Sequence, residues 1–355
     1  MQLPLTRLRY QLLLGILCLC LSSCSGPTQS GTPTSGQSNG PVTPVSGPGT
    51  GVQNVQVFVE PDAGDAPIVD AIQHAKKSIW LEIYLLTERN IINALEDAAH
   101  AGIDVRVMLE AHPYGSGSIS PKETLDKLKA TGVKAQSAST LFSLTHEKGM
   151  IIDGQAAYIM TCNFTLSALG GSSSTTNREY GIIDTNQPDI QAMSSIFTAD
   201  WNRTNAQFND ANLVVSPENS RTDFVALINS AHQSLAVEAE EMQDTEVEQA
   251  LINAARRGIQ VQVILPGADS SGNDSNSTGI ATLKQGNVQV KEDPHLYMHA
   301  KLIVVDGKEA FVGSENISTA SLNRNREVGL LVADATVLTT LQQTFGQDWS
   351  DSQTV

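Results

Sequence analysis

The chain repeats itself once, and the length of the repeat limits what it can fold into. Val69–Ser78 reappears as Val225–Ser234, and Asn93–Val107 reappears as Gln249–Val263, both at an offset of 156 residues. Further on, Phe197, Asp200 and Trp201 answer Phe345, Asp348 and Trp349 at an offset of 148. A period this long is a duplicated domain, because solenoid units run to only about 20–50 residues. Each copy reads alike. A helix with apolar spacing (Ile68, Ile72, Ala75; then Phe224, Ile228, Ala231) precedes a strand, Ile79–Leu85 or Leu235–Glu241. A second helix stops at Gly102 or Gly258, the residue type that ends helices most cheaply. An apolar strand follows at Val105–Leu109 or Val261–Leu265, and an amphipathic helix, Pro188–Trp201 or Thr336–Trp349, closes the copy. Strands alternating with helices predict an α/β fold. We expect two homologous α-β-α lobes, 53–207 and 208–355, each a central mixed β-sheet flanked by helices. They should be related by a pseudo-two-fold, with the active site at the lobe interface.

The first 52 residues are of another kind. Arg7 and Arg9 precede an apolar run from Tyr10 to Leu21, too short to span a bilayer but suited to a signal-peptide core. Leu21-Ser22-Ser23-Cys24 resembles a bacterial lipobox, so residues 1–23 are read as a lipoprotein signal peptide and Cys24 as the lipidated residue. Residues 24–52 are read as a flexible Gly/Ser/Pro/Thr linker, and no charged residue occurs between Arg9 and Glu60. The expected location is extracytoplasmic, with the body lipid-anchored to a bacterial membrane.

Chemistry is concentrated in a second pair of matched segments. The first half has His146-Glu-Lys148 followed by Asp153, then Thr161 and Asn163, then Asn177-Arg-Glu179. The second has His299-Ala-Lys301 followed by Asp306, then Ser314 and Asn316, then Asn325-Arg-Glu327. His and Lys two apart on a strand share a face. Asp153-Gly154 and Asp306-Gly307 are hairpin signals, so the next strand returns its hydroxyl and asparagine to the end where the histidine lies. Across a two-fold, the halves offer two imidazoles, two ammoniums and two asparagines. That set suits a phosphodiester. Ammoniums and amides oppose the growing charge on phosphate oxygens, one imidazole attacks phosphorus, and the other protonates the leaving oxygen. No metal or other cofactor is expected.

The doubled His-x-Lys-x4-Asp motif resembles the phospholipase D superfamily in its two-motif, single-chain form, over about residues 53–355. The resemblance implies a phosphohistidine intermediate, with His146 and His299 as nucleophile and general acid. It implies that Lys148, Lys301, Asn163 and Asn316 bind phosphate with help from Thr161 and Ser314. Glu179 and Glu327 match the acidic residue that orients the motif histidine. Asp153 and Asp306 complete the catalytic motif, although in this family they look more structural than catalytic. The first half carries Met160-Thr161-Cys162-Asn163 where the family favours Gly-Ser before Asn, and the bulkier Met160 is expected to narrow that half of the pocket.

Several residues have plainer readings. Cys162 is read as a buried, inert thiol, and Glu82 and Glu238 as polar strand positions. His112 with Tyr114, and His295 with Tyr297, fall on loops at the expected site edge, where filler is the simpler account. The formal net charge of −16 argues against nucleic acid, which needs a basic footprint. The local basic clusters, Lys122, Lys127, Lys129 and Lys134, and Arg324 with Arg326, are thin. The leading expectation is therefore a monomeric phospholipase D-type hydrolase of phospholipid headgroups at a membrane. A nuclease of the same superfamily, a cardiolipin synthase-like phosphatidyltransferase and, last, a non-enzymatic binding module are the alternatives.

Overall fold

Repeat-related residues start and stop the same elements in both halves. In the computed structural model, which describes residues 50–114, 120–269 and 271–355, the signal segment, Cys24 and nearly all of the linker lie outside the described residues. The first half runs β1 (Gln56–Glu60), α1 (Ala66–His74), β2 (Ser78–Ile83), α2 (Arg89–His100), β3 (Asp104–Leu109), α3 (Pro121–Ala130), β4 (Lys134–Ser137), β5 (Lys148–Ile152), β6 (Ala156–Met160), β7 (Asn177–Asp184) and α4 (Gln187–Trp201). The second runs β8 (Leu213–Ser216), α5 (Ser220–Asn229), β9 (Ser234–Ala239), β10 (Met242–Gln243), α6 (Thr245–Arg256), β11 (Gln260–Pro266), α7 (Ser277–Gln285), β12 (Gln289–Asp293), β13 (Tyr297–Met298), β14 (Lys301–Val305), β15 (Glu309–Gly313), β16 (Ile317–Ser318), α8 (Thr319–Asn323), β17 (Glu327–Val332), α9 (Ala335–Asp351) and β18 (Gln353–Thr354). Helix α2 begins where the Glu88 carboxylate accepts the Asn90 amide, and α6 where Asp244 accepts those of Glu246 and Val247. Both stop at a glycine in the left-handed region, Gly102 at φ +88° and Gly258 at φ +90°.

The sheets are mixed, as the sequence implies. The first is ordered β1-β7-β6-β5-β2-β3-β4 and the second β18-β12-β11-β9-β14-β15-β17-β8. Pairing is parallel from β2 through β4 and from β9 through β12, and antiparallel across the β5–β6 and β14–β15 hairpins. Each lobe has its own outer core, and a third core lies between the lobes. There Ile159 and Ile182 of the first sheet and Val312 and Leu330 of the second pack with Phe197 of α4 and Phe345 of α9. Two short crossings join the lobes beside the site. β13 pairs with the start of β7, and Thr145 bridges to Arg326. Val52, at the end of the segment read as linker, bridges to Val332 of the second lobe.

The motif aspartates belong to the turns. Asp153 and Gly154 take φ +57° and +63°, Asp306 and Gly307 +51° and +64°, the paired positive values of a two-residue hairpin. The Asp153 carboxylate accepts the amides of Lys76, Lys77 and Ser78, and Asp306 those of His232, Gln233 and Ser234. Against the upward pull of burial, these amides hold both carboxyls below the usual range. They sit at the far end of β5 and β14 from the histidines. Their place in the catalytic set is therefore corrected: they fix the connection that leads into β2 and β9.

Candidate active site

The two motif histidines line one cleft of about 1350 Å³. His146 precedes β5 and His299 precedes β14, so each imidazole stands at the mouth of a buried strand. The glutamates reach them crosswise. Glu327 of the second lobe lies 2.9 Å from Nδ1 of His146, and Glu179 of the first lies 2.8 Å from Nδ1 of His299. The crossing follows from the strand pairing, since the His146 amide donates to the Arg326 carbonyl at 2.9 Å and the Tyr297 amide to the Thr176 carbonyl at 2.9 Å. Each histidine segment is thereby laid along the other lobe's glutamate strand.

Hydroxyls and amides hold the glutamates. Thr161 donates to Glu179 at 2.6 Å and Asn177 donates at 3.0 Å. Ser321 donates to Glu327 at 2.7 Å and Asn325 at 3.2 Å. Thr161 and Ser314 are fully buried, and each accepts a backbone amide of the neighbouring strand, from Tyr180 and Val328. Neither lines the cleft, so their assignment to phosphate is corrected. β6 ends at Met160 and β15 at Gly313, and beyond a strand end the rule that sets i and i+2 on one face lapses. Asn163 and Asn316 do line the cleft. Met160 is buried in the first lobe's core and does not narrow the pocket.

Both lysines lie behind the imidazoles instead of on the cleft wall. Lys148 donates to the His146 carbonyl at 2.5 Å, and Lys301 to the His299 carbonyl at 2.6 Å. Burial brings the Lys148 ammonium down to about 7 and depresses His146 as well. Despite burial, His146 and then Lys148 hold the Glu327 carboxyl below its ordinary value.

Sequence reasoning missed Tyr84, Glu240 and Glu241, which line the cleft beside Tyr114 and Tyr297. Strands β2 and β9 stop at Ile83 and Ala239, two residues short of the expected ends, and residues 84 and 240 turn out of the ladder toward the site. Their signal was the repeat itself, because 84 and 240 stand 156 apart, each two residues past the matched Glu82 and Glu238. His112 and His295 do not line this cleft. Cys162 is fully buried, and burial pushes its thiol up.

Under the first half lies a buried carboxylate trio, Glu82, Glu147 and Asp200, with one oxygen of each within 4.8 Å of the others. Arg326 supplies its positive charge through a bidentate pair with Asp200 at 2.7 and 3.2 Å. In the second half Glu238 takes the Tyr180 hydroxyl at 2.7 Å, Arg178 pairs with Asp348, and Ala300 replaces Glu147. Burial, with Asp200 adding to it, raises the Glu147 carboxyl to about 8. The folded state therefore holds a proton that the unfolded chain releases near the ordinary glutamate value, and wild-type stability falls as pH rises between that value and about 8. Glu147→Gln removes this loss. Thermal melts should show it more stable than wild type at pH 8.5 by about 1–2 kcal/mol, several degrees in Tm, with the gap closing at pH 5. An equal gap at both pH values would refute the proton-holding account.

Two lobes of one α/β fold closing over a shared pair of histidines define a duplicated architecture with a single composite site. The chain belongs to the phospholipase D superfamily: the family described as "Cardiolipin synthase, PLD-like domain" matches it twice, over residues 68–201 and 224–349. It is similar to the cardiolipin synthase of Oceanobacillus iheyensis, 25% identical over 342 residues that cover 84% of this chain and 69% of that protein. It is also similar to cardiolipin synthase 2 of Staphylococcus epidermidis, 23% identical over 319 residues, 79% of this chain and 65% of that protein. The chain thus spans about two thirds of the length of these relatives. Among solved structures, phosphatidylserine synthase of Haemophilus influenzae superposes with a TM-score of 0.66 at 12% identity, over 87% of this chain and 89% of that one. Polyphosphate kinase from Porphyromonas gingivalis superposes with a TM-score of 0.65 at 16% identity, over 82% and 46%. At these identities the likeness is one of fold.

Proposed function

We propose that the protein transfers a phosphatidyl group between alcohols through a phosphohistidine, without a metal. The carrying observation is the rim of the two-histidine cleft. Of the four large hydrophobic side chains exposed among the described residues, Tyr114, Leu166 and Tyr297 line its wall. An apolar rim around a site for phosphate suits a lipid. The charge there does not suit nucleic acid: Arg89 is outnumbered by Glu88, Glu240 and Glu241. Arg326, counted among the basic clusters of the sequence, is fully buried and ion-paired, and Lys122, Lys127 and Lys134 pair with Asp126, Glu96 and Asp104. Hydrolysis, the leading expectation from the sequence, becomes the second reading, because the curated relatives are named for making cardiolipin.

In the first step an imidazole nitrogen bonds to phosphorus, the bond to the headgroup oxygen breaks, and the other histidine protonates that oxygen. In the second an acceptor hydroxyl gives its proton back to the same imidazole and displaces the first from phosphorus. Asn163 and Asn316 contact the phosphate oxygens, and Lys148 and Lys301 add positive charge from behind the imidazoles. Export through a signal ending at Ser23, anchoring through Cys24 and action as a monomer complete the proposal.

Phosphatidylglycerol vesicles in excess chelator provide the test. Cardiolipin and glycerol should form, and added ethanol should divert the phosphatidyl group to phosphatidylethanol. Phosphatidate alone, unchanged by ethanol, would favour the hydrolase. Activity confined to DNA, or restored only by a divalent metal, would reject both.

A further inference from the structure

Positions 84 and 240 are equivalent in the repeat, yet they carry a tyrosine and a glutamate. In the first half the Tyr84 ring lies edge-on to His146 at 4.7 Å between centroids, and the Lys148 ammonium is 5.3 Å from the same ring. In the second half a carboxylate takes that place. Glu240 Oε2 lies 3.3 Å from His299 Nε2, 2.8 Å from Lys301 Nζ and 3.2 Å from Asn316 Nδ2. Its Oε1 accepts the Tyr297 hydroxyl at 3.3 Å.

The two histidines are therefore set differently. Both ring nitrogens of His299 face carboxylates: Nδ1 hydrogen-bonds Glu179, and Nε2 stands 3.3 Å from Glu240 Oε2, an ion-pair contact that is attractive only when that nitrogen also carries a proton. His146 bonds Glu327 through Nδ1, and its Nε2 has no hydrogen-bond partner among the described residues. A neutral ring protonated at Nδ1 leaves its lone pair on Nε2. We infer that Glu240 is a positioning residue that keeps His299 doubly protonated before substrate arrives, so that His299 begins the reaction as the acid and His146 as the nucleophile. The inference rests on the two-histidine reading above and gives that reading a direction.

The charges fit this division. Burial works to raise the Glu240 carboxyl, but His299 and Lys301 overcome it and hold it well below the glutamate range. Glu240 does not exhaust the donors around it. The Lys301 ammonium donates to Glu240 and to the His299 carbonyl and lies 3.2 Å from His299 Nδ1, whereas the Asn316 amide spends one of its two protons on Glu240. Asn316, which lines the cleft, keeps one for a phosphate oxygen. In the first step the His146 Nε2 lone pair forms the bond to phosphorus and the departing oxygen takes the proton from His299 Nε2. In the second, the acceptor hydroxyl returns a proton to that nitrogen, which faces Glu240.

The test compares wild type, Glu240→Gln, Glu240→Tyr and Glu240→Asp from pH 5 to 10 on phosphatidylglycerol vesicles and on a p-nitrophenyl phosphodiester. The first substrate loses an alkoxide and needs the acid; the second loses a stable phenolate and scarcely does. Glu240→Gln should move the alkaline limb of the phosphatidylglycerol profile down by roughly one to two pH units. Above that limb the ratio of phosphatidylglycerol to p-nitrophenyl rates should fall at least about tenfold relative to wild type. Glu240→Tyr should shift the limb in the same direction, and Glu240→Asp should move it back toward wild type. A limb that stays in place, or rates that fall equally on both substrates, would overturn the inference. Wild type quenched in alkaline denaturant should carry phosphate from substrate that acid then releases. If none is trapped on either substrate, the phosphohistidine reading itself fails, and the fault does not lie with Glu240.

Discussion

His146→Ala should abolish turnover on every phosphodiester, and His299→Ala should abolish it on only some. Without His146 there is no nitrogen to take phosphorus, so phospholipid and p-nitrophenyl ester fail alike, by about four orders of magnitude or more. Without His299 the headgroup oxygen must leave unprotonated, which costs about 10²- to 10⁴-fold on an alkoxide and little on p-nitrophenolate. A rapid-mixing experiment should show a p-nitrophenol burst in His299→Ala and none in His146→Ala. The burst should stall at one equivalent, because the imidazole that deprotonates the acceptor is also missing. The asymmetry at positions 84 and 240 chooses which variant bursts. The opposite pattern would exchange the roles, and near-wild-type rates in both variants would remove the histidines from the chemistry.

The second large effect falls on stability. The Arg326 guanidinium has no exposed side-chain surface, and it holds Asp200 in two bonds, the Ser216 carbonyl at 2.8 Å and Glu218 at 2.9 Å. Arg326→Met would leave the Asp200 carboxylate buried without its cation, beside Glu82 and the proton-holding Glu147. Removing one partner from such a network costs about 3–5 kcal/mol. Arg326→Lys should recover little, because an ammonium cannot make the bidentate contact. Denaturant melts at pH 7 should show the full loss. At pH 5, where the unpaired Asp200 carboxylate, already raised by burial, takes up a proton more readily, the deficit should shrink. A loss under about 1 kcal/mol at pH 7 would mean that Asp200 carries no charge for Arg326 to balance.

How far the sequence could be read depended on whether an interaction lay within one half. The duplication, the mixed sheets, the hairpins at Asp153 and Asp306, and the gathering of His146, His299, Asn163 and Asn316 all follow from spacing and strand alternation. The crossed glutamates do not, because spacing within a half gives register and says nothing of which lobe receives a side chain. Thr161 and Ser314 were misplaced because the alternation rule was carried past the strand ends. Glu82 looked like an ordinary strand carboxylate, because its partners Glu147 and Asp200 come from distant elements. Glu240 is not legible from likeness between the copies, because it stands where they differ, opposite Tyr84.

The crossing of the glutamates bears on the order of events in the protein's history. A lone copy would hold a histidine whose orienting carboxylate points away from it, toward a partner. Such a copy could have worked only as a symmetrical pair, with each member completing the other's imidazole. Joining two of them in one chain would preserve that reciprocity and free position 84 to diverge from 240. Fusion came before asymmetry in this account, and division of labour between the histidines was a gain that identical subunits could not encode.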